Sequence, residues 1–282
     1  MRKILLTGAG GLVGTHLLPL LNEEHEVCTI SRKNISNNNI NIDFSKEWDT
    51  RALPKDLDTI IHLAQSENFR DFPGKAIEVF NVNTTSTLKL IDFACKTGVK
   101  TFVFASSAGI YGNSDFEFEE SMDIVYKREM GFYLATKQCS EIILDNYSSL
   151  LQIIQLRLFF VYGNGQRKDM LIPRLIDNVR RGVPLHLQGA SGITINPTHV
   201  SDAAKAIKAS LNLSGSHKIN IAGPELLTMK EIGRIIGNLV HKQPQFIMEG
   251  KEAKNLIGST SNMSKMLIKP ATKFKDGIKD LI

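Results

Sequence analysis

Of the five tyrosines in the chain, only Tyr133 has a lysine four residues on, in Tyr133-Leu134-Ala135-Thr136-Lys137. Positions four apart on a helix share a face. An ammonium beside a phenol favours the phenolate, so this spacing predicts a tyrosine of lowered pKa. Such a group serves as a base toward an alcohol or an acid toward a carbonyl. A second candidate lies upstream, where the apolar run Phe102-Val103-Phe104-Ala105 ends in Ser106-Ser107-Ala108-Gly109. If that run is a strand of an open parallel sheet, Ser107 stands at its carboxyl end, where such sheets bind ligands. Its hydroxyl can donate to a developing oxyanion and hold the reacting oxygen against Tyr133.

A third element sits at the start of the chain, in Thr7-Gly8-Ala9-Gly10-Gly11-Leu12-Val13-Gly14. Glycines at 8, 11 and 14 suit a tight turn, a close backbone approach to a pyrophosphate, and close helix–strand packing. A helix that follows directly offers unpaired N–H groups to an anion. NAD-binding folds place an acid at the end of the second strand, but here that place reads Thr29-Ile30-Ser31-Arg32-Lys33. Arg32 with Ser31 suits a 2′-phosphate, so the residues favour NADP over NAD.

These groups need a scaffold, and the hydrophobic pattern describes one. Short apolar runs at 3–7, 26–30, 59–63, 100–106 and 152–158 alternate with amphipathic stretches at 12–24, 75–97 and 133–147. Fully apolar strands separated by helices predict a Rossmann-like, doubly wound parallel sheet covered on both faces, an α/β fold. Residues 1–160 are assigned to this dinucleotide-binding domain, with segments near 197–222 returning to it. Residues 161–196 and 223–282 are assigned to a smaller, mixed α/β C-terminal lobe for substrate.

Composition closes off other classes. The chain has 282 residues, 42% hydrophobic and 22% charged, with a net charge of +5. This is globular composition, with no disordered tract or coiled coil. The basic residues are dispersed, which argues against nucleic acid. Cys28, Cys95 and Cys139 are isolated and odd in number, as in a reducing cytoplasm. The seven histidines show neither HxH nor HxxxH spacing, so no metal site is expected. His62 and His199 read as hydrogen-bonded structural groups. No apolar run approaches a membrane span, and the opening Met1-Arg2-Lys3-Ile4-Leu5-Leu6 breaks at once into the glycine loop, unlike a signal peptide. A cytoplasmic protein is expected.

Taken in order, these motifs resemble the extended short-chain dehydrogenase/reductase family, in its NAD-dependent epimerase/dehydratase branch acting on nucleotide sugars. The resemblance covers Asp43-Phe44, Ile61-His62-Leu63-Ala64, Asn81-Val82-Asn83-Thr84 and Ser106-Ser107-Ala108-Gly109-Ile110-Tyr111-Gly112. It continues through Leu156-Arg157-Leu158-Phe159-Phe160-Val161-Tyr162-Gly163, Gln166-Arg167-Lys168-Asp169-Met170, His199-Val200-Ser201-Asp202 and Asn220-Ile221-Ala222-Gly223. It implies hydride transfer at a sugar carbon, taken as C4, with Ser107, Tyr133 and Lys137 catalytic and Lys137 also holding the nicotinamide ribose. The cofactor would meet Gly8, Gly11, Leu12, Val13, Gly14, Ser31, Arg32, Asp43, Phe44, Leu63, Ala64, Asn83, Ser106, Tyr133, Lys137 and Phe160. The substrate would meet Ser107, Ala108, Gly109, Tyr133, Phe160, Arg167 and Ile195, with Tyr111 and Tyr162 walling the cleft. A homodimer built on the two long helices is implied as well.

Several positions depart from the family pattern. Ala108 and Gly109 stand where dehydratases carry an acidic pair, which points to an epimerase. Phe160 replaces an asparagine that touches the sugar nucleotide, and Ile195 replaces an arginine that grips the diphosphate. No arginine follows Arg234, so Lys251 or Lys254 would have to supply the second diphosphate cation. The alternatives are an NADPH-dependent 4-keto-sugar reductase, a reductase of a non-nucleotide carbonyl compound, and a non-catalytic NADP-binding redox sensor.

Overall fold

Each strand of the sheet must bury both faces, and the residues show it. All four positions of Thr59–His62 are buried, as are six of the seven in Thr101–Ser107. A strand shielded on both sides shows no polar–apolar alternation. The computed structural model describes residues 1–125, 130–250 and 252–282. In order, the first elements are β1 (Lys3–Thr7), α1 (Leu12–Asn22), β2 (Glu26–Ser31), β3 (Asn39–Asn41), β4 (Thr59–His62), α2 (Ala76–Phe80), α3 (Ser86–Thr97), β5 (Thr101–Ser107), α4 (Gly131–Asp145) and β6 (Gln152–Leu158). There follow β7 (Val161–Tyr162), α5 (Leu171–Arg181), β8 (Leu185–Gln188), β9 (Thr194–Ile195), β10 (Thr198–His199), α6 (Val200–Ser210), β11 (His217–Ile221), β12 (Leu227–Thr228), α7 (Met229–Val240) and β13 (Phe246–Glu249).

Seven strands form the main sheet in the order β11-β6-β5-β4-β1-β2-β3. The pairs β3–β2, β2–β1, β1–β4 and β4–β5 are parallel. From β1 the chain steps to β2 on one side and later to β4 on the other. The order therefore reverses beside β1, and a crevice opens at the carboxyl ends of β1 and β4. The continuous helix expected over 75–97 has a wider, five-residue π turn, Asn81–Thr85, between α2 and α3.

The chain divides into two compact units. The first comprises Met1–Ile110, Ile124–Arg157 and Ala204–Ile219; the second comprises Tyr111–Asp123, Leu158–Ala203 and Asn220–Ile282. Residues 111–123, assigned from sequence to the first domain, thus group with the second unit. Backbone bonds account for this: Ser114 N donates to Asn255 O at 3.0 Å and Phe118 N to Ile257 O at 2.7 Å. The core of the first unit gathers Leu5, Ile60, Leu90, Ile91, Phe102 and Phe104. The second unit has its own core, in which α5 presents Ile172, Ile176 and Val179 and α7 presents Met229, Ile232 and Ile236. Both triplets have helical spacing, so each helix seals one face. Among the described residues, no helix is long and apolar enough to cross a membrane.

Candidate active site

The turn after β1 is the crevice's floor. Gly8 adopts φ +73°, and a Cβ there would lie 2.6 Å from Ala64 N. At Gly14 a Cβ would stand 2.2 Å from Gly8 O. Gly11 caps α1 with no side-chain hydrogen bond, so backbone N–H groups of Leu12, Val13 and Gly14 face outward from an uncapped helix start. This cradle, which any side chain would fill, fits a dinucleotide pyrophosphate.

The phenol of Tyr133 lies at the start of α4. Its hydroxyl donates to Gln65 Oε1 at 2.9 Å, and the Ser107 side chain is near enough to act on it. Its ring packs on Phe69, with centroids 5.0 Å apart. Sequence reasoning missed Gln65, a loop residue beyond β4 whose type carries no signal. The Lys137 ammonium, one turn along α4, is 1% exposed, donates to Ala105 O at 2.8 Å and lies 4.9 Å from the Phe104 ring centroid.

The pKa pattern corrects one expectation. Burial pushes the Tyr133 phenol up to about 12, with the nearby Ser107 side chain pulling the other way. Burial likewise pushes Lys137 down to about 7, against the attraction of Glu141. Lys137 therefore does not lower the phenol here: desolvation dominates both groups, and the ammonium is turned toward a backbone carbonyl. Beneath it, Glu141 is held by Arg157 through bonds of 3.1 and 2.8 Å, with both side chains 3% exposed.

Other expected site residues divide by burial. Ser106 Oγ is buried and, among the described residues, has no hydrogen-bond partner. Leu63 and Ala64 are half-buried beside the glycine loop. At Asp43, burial raises the carboxyl, but hydrogen bonds from Ser45 N and Oγ (3.0 and 2.7 Å) and the charge of Arg32 outweigh it, so the group stays below its usual range. Ser31 Oγ is engaged with Lys33 O and with Asn39 Oδ1 at 2.9 Å. Arg32 Nη1 lies 2.9 Å from Glu67 Oε1.

Several side chains assigned to cofactor or substrate are turned into the protein. Phe44 packs on Trp48, with centroids 4.9 Å apart, inside the first core. Asn83 is fully buried with both amide ends used, accepting from Ser66 N at 3.0 Å and donating to Thr136 Oγ1 at 2.9 Å; it braces the segment after β4 against α4. The Ala108 methyl is buried, and Gly109 lies against Leu134. In the second unit Ile195 is 0% exposed, because β9 pairs with β12 and turns it into the core. Tyr162 is buried beside His199 and Phe274, and Tyr111 donates to Asn220 Oδ1 at 2.9 Å, so neither walls a cleft. Phe160 is half-buried with φ +38°, a left-handed conformation that asparagine tolerates far better than phenylalanine. Arg167 is tied to Asp169 at 3.0 and 2.8 Å. Lys254 is exposed, and Lys251 lies outside the described residues. His62 is a structural group, set between Thr7 Oγ1 (2.7 Å) and Ser86 Oγ (3.2 Å), and burial holds it at about 3.

Comparison with known proteins follows the same lines. The model of the NAD dependent epimerase/dehydratase family matches residues 4–222. The Bacillus subtilis (strain 168) protein described as an uncharacterized UDP-glucose epimerase, YtcB, is 28% identical over 305 residues, spanning 98% of this chain and 95% of its own. A UDP-glucuronate 4-epimerase of Thermodesulfobacterium geofontis (strain OPF15) is 30% identical over 190 residues, 66% of this chain and 58% of its own. The solved structure of MoeE5 in complex with UDP-glucuronic acid and NAD is 25% identical, with a TM-score of 0.81 over 99% of this chain and 97% of that one.

Proposed function

The chain belongs to the NAD dependent epimerase/dehydratase family, and from that premise we propose that it inverts C4 of a nucleotide sugar with Tyr133 as the acid–base group. The observation that carries this reading is the Tyr133 hydroxyl, placed near Ser107 at the end of β5 and one helical turn from a buried lysine. Likeness to a UDP-glucuronate 4-epimerase and to a protein solved with a UDP-sugar and NAD supports the substrate class. When bound, a nicotinamide dinucleotide takes up and returns a hydride. The glycine loop would hold its pyrophosphate. NAD is proposed, because Arg32, the residue that favours NADP in the sequence, is occupied by Glu67.

The chain's own groups then divide the work. With its pKa near 12, Tyr133 carries its proton at neutral pH, and Gln65 Oε1 accepts that proton's hydrogen bond. A sugar hydroxyl entering beside Ser107 would displace Gln65 and take over that contact. Ser107 would fix the reacting oxygen, and the Tyr133 oxygen, once the positive charge of an oxidised nicotinamide had favoured loss of its own proton to solvent, would accept the sugar proton and later return it. The Lys137 side chain, held against Ala105 O, would meet the nicotinamide ribose of a bound dinucleotide. In the second unit Phe160 and Arg167 remain proposed substrate contacts. Exposed Ile77, Phe80, Leu88 and Ile142 on α2, α3 and α4 support a homodimer through these helices. The three cysteines are free, which suits the cytoplasm.

The decisive test is Tyr133→Phe assayed on a panel of UDP-sugars. A loss of ~10²–10⁴-fold in rate with unchanged dinucleotide affinity is expected. An unchanged rate would refute the assignment.

A further inference from the structure

The adenosine end of the crevice holds an acid that β2 does not encode. In doubly wound folds the residue at the end of the second strand faces the adenosine ribose: an acid there accepts from the 2′-hydroxyl, and a free cation favours a 2′-phosphate. Here that residue is Arg32, and it is not free, since its guanidinium is 2.9 Å from the Glu67 carboxylate.

Glu67 is delivered from the far side of β1. The segment following β4 starts against the glycine loop at Ala64 and is pinned at successive residues. Gln65 is bonded to Tyr133, and buried Ser66 is bonded through its N–H to Asn83 Oδ1 and through its hydroxyl to Glu78 Oε1 at 3.2 Å. Glu67 therefore leaves an anchored backbone, so its meeting with Arg32 is set by the fold. Besides Glu67, the carboxylates of Asp43 and Glu78 act on Arg32, and together they hold its proton more firmly than usual. A dianionic 2′-phosphate brought to this guanidinium would face those carboxylates. Ser31, the other candidate donor, is already bonded to Lys33 and Asn39.

We propose that Glu67 supplies in space the acid missing from the end of β2 and, by holding Arg32, sets the choice of NAD over NADP. This rests on the dinucleotide-binding reading of the site. The pair is about half exposed, 59% and 52% for the two side chains, so solvent screens it and the effect is moderate in size.

Calorimetric titration of the full chain with NAD and with NADP tests this for the wild type, Glu67→Gln, Arg32→Ala and the double variant. The wild type is expected to bind NAD more tightly. Glu67→Gln should tighten NADP by about tenfold and change NAD far less. Adding Arg32→Ala should abolish that gain, and equal thermal midpoints would confirm that all four proteins are folded. A wild type preferring NADP, or a Glu67→Gln protein with unaltered NADP affinity, overturns the proposal. Binding of neither dinucleotide by the folded wild type overturns the dinucleotide reading itself, and the proposal with it.

Discussion

Replacing Lys137 by methionine should change not only the stability of the protein but how that stability depends on pH. The ammonium is buried against Ala105 O and the Phe104 ring, and desolvation brings it down to about 7 even though Glu141 favours its charge. In the unfolded chain the same group titrates near 10.4. Between those values the unfolded state binds the extra proton, so folding stability gains as pH rises. Below about pH 7 both states are protonated and the burial penalty is present in full; above about pH 10.4 it has vanished. At about 1.4 kcal/mol per unit, the whole window is worth roughly 4–5 kcal/mol at most. Methionine keeps the length and apolar bulk but leaves the Ala105 carbonyl without this donor, a loss of about 1–3 kcal/mol that does not vary with pH. The expected result is a variant ahead of wild type by about 1–4 kcal/mol at pH 6 that loses this lead as pH rises and is level or up to about 2 kcal/mol behind at pH 10. Urea unfolding at constant ionic strength, run on both proteins from pH 6 to 10, measures that difference. A difference that stays flat across the window would refute the buried, low-pKa lysine.

Two further outcomes test the surrounding structure. Gly14→Ala would force a Cβ to 2.2 Å from Gly8 O, a backbone atom that cannot move aside; it should cost about 1–3 kcal/mol in thermal stability and weaken dinucleotide binding by more than about tenfold, and unimpaired binding would remove the cradle from the reading. Glu141→Leu alone should cost about 3–5 kcal/mol by removing the carboxylate that holds buried Arg157, whereas the double variant with Arg157→Met should recover most of that. Equal losses for the single and double variants in chemical denaturation would show that the pair is not coupled.

The parts of the molecule set by local rules could be read from the residues. The apolar runs became β1, β4, β5 and β6, the glycine spacing became a tight turn into α1, and the i, i+4 rule put Tyr133 and Lys137 on one helix. What the spacing could not reveal was depth. Desolvation, which outweighs the lysine–phenol attraction, depends on everything packed around α4. Likewise, a short strand does not announce which of its side chains the core will claim, so Ile195, Tyr162 and Phe44, which read as cleft residues in the sequence, lie in the cores instead. Gln65 and Glu67 are illegible for the opposite reason. Exposed polar residues in a loop follow no period, and their partners lie 68 and 35 positions away in the chain.

The wide turn at Asn81–Thr85 makes length, as well as residue identity, a constraint on this enzyme. It lets the Asn83 carbonyl accept from both Thr87 Oγ1 at 2.6 Å and Ser140 Oγ at 3.0 Å, while the amide of the same residue reaches Ser66 and Thr136. Deleting one residue here would tighten the coil to ordinary α geometry and leave the flanking helices nearly in phase, because four α residues turn about as far as five π residues. The cost would fall on Asn83, whose carbonyl would lose room for its second hydroxyl and whose amide would shift from Ser66, the tether of the loop bearing Gln65 and Glu67. A single surplus residue in a helix thus keeps both ends of the crevice in alignment.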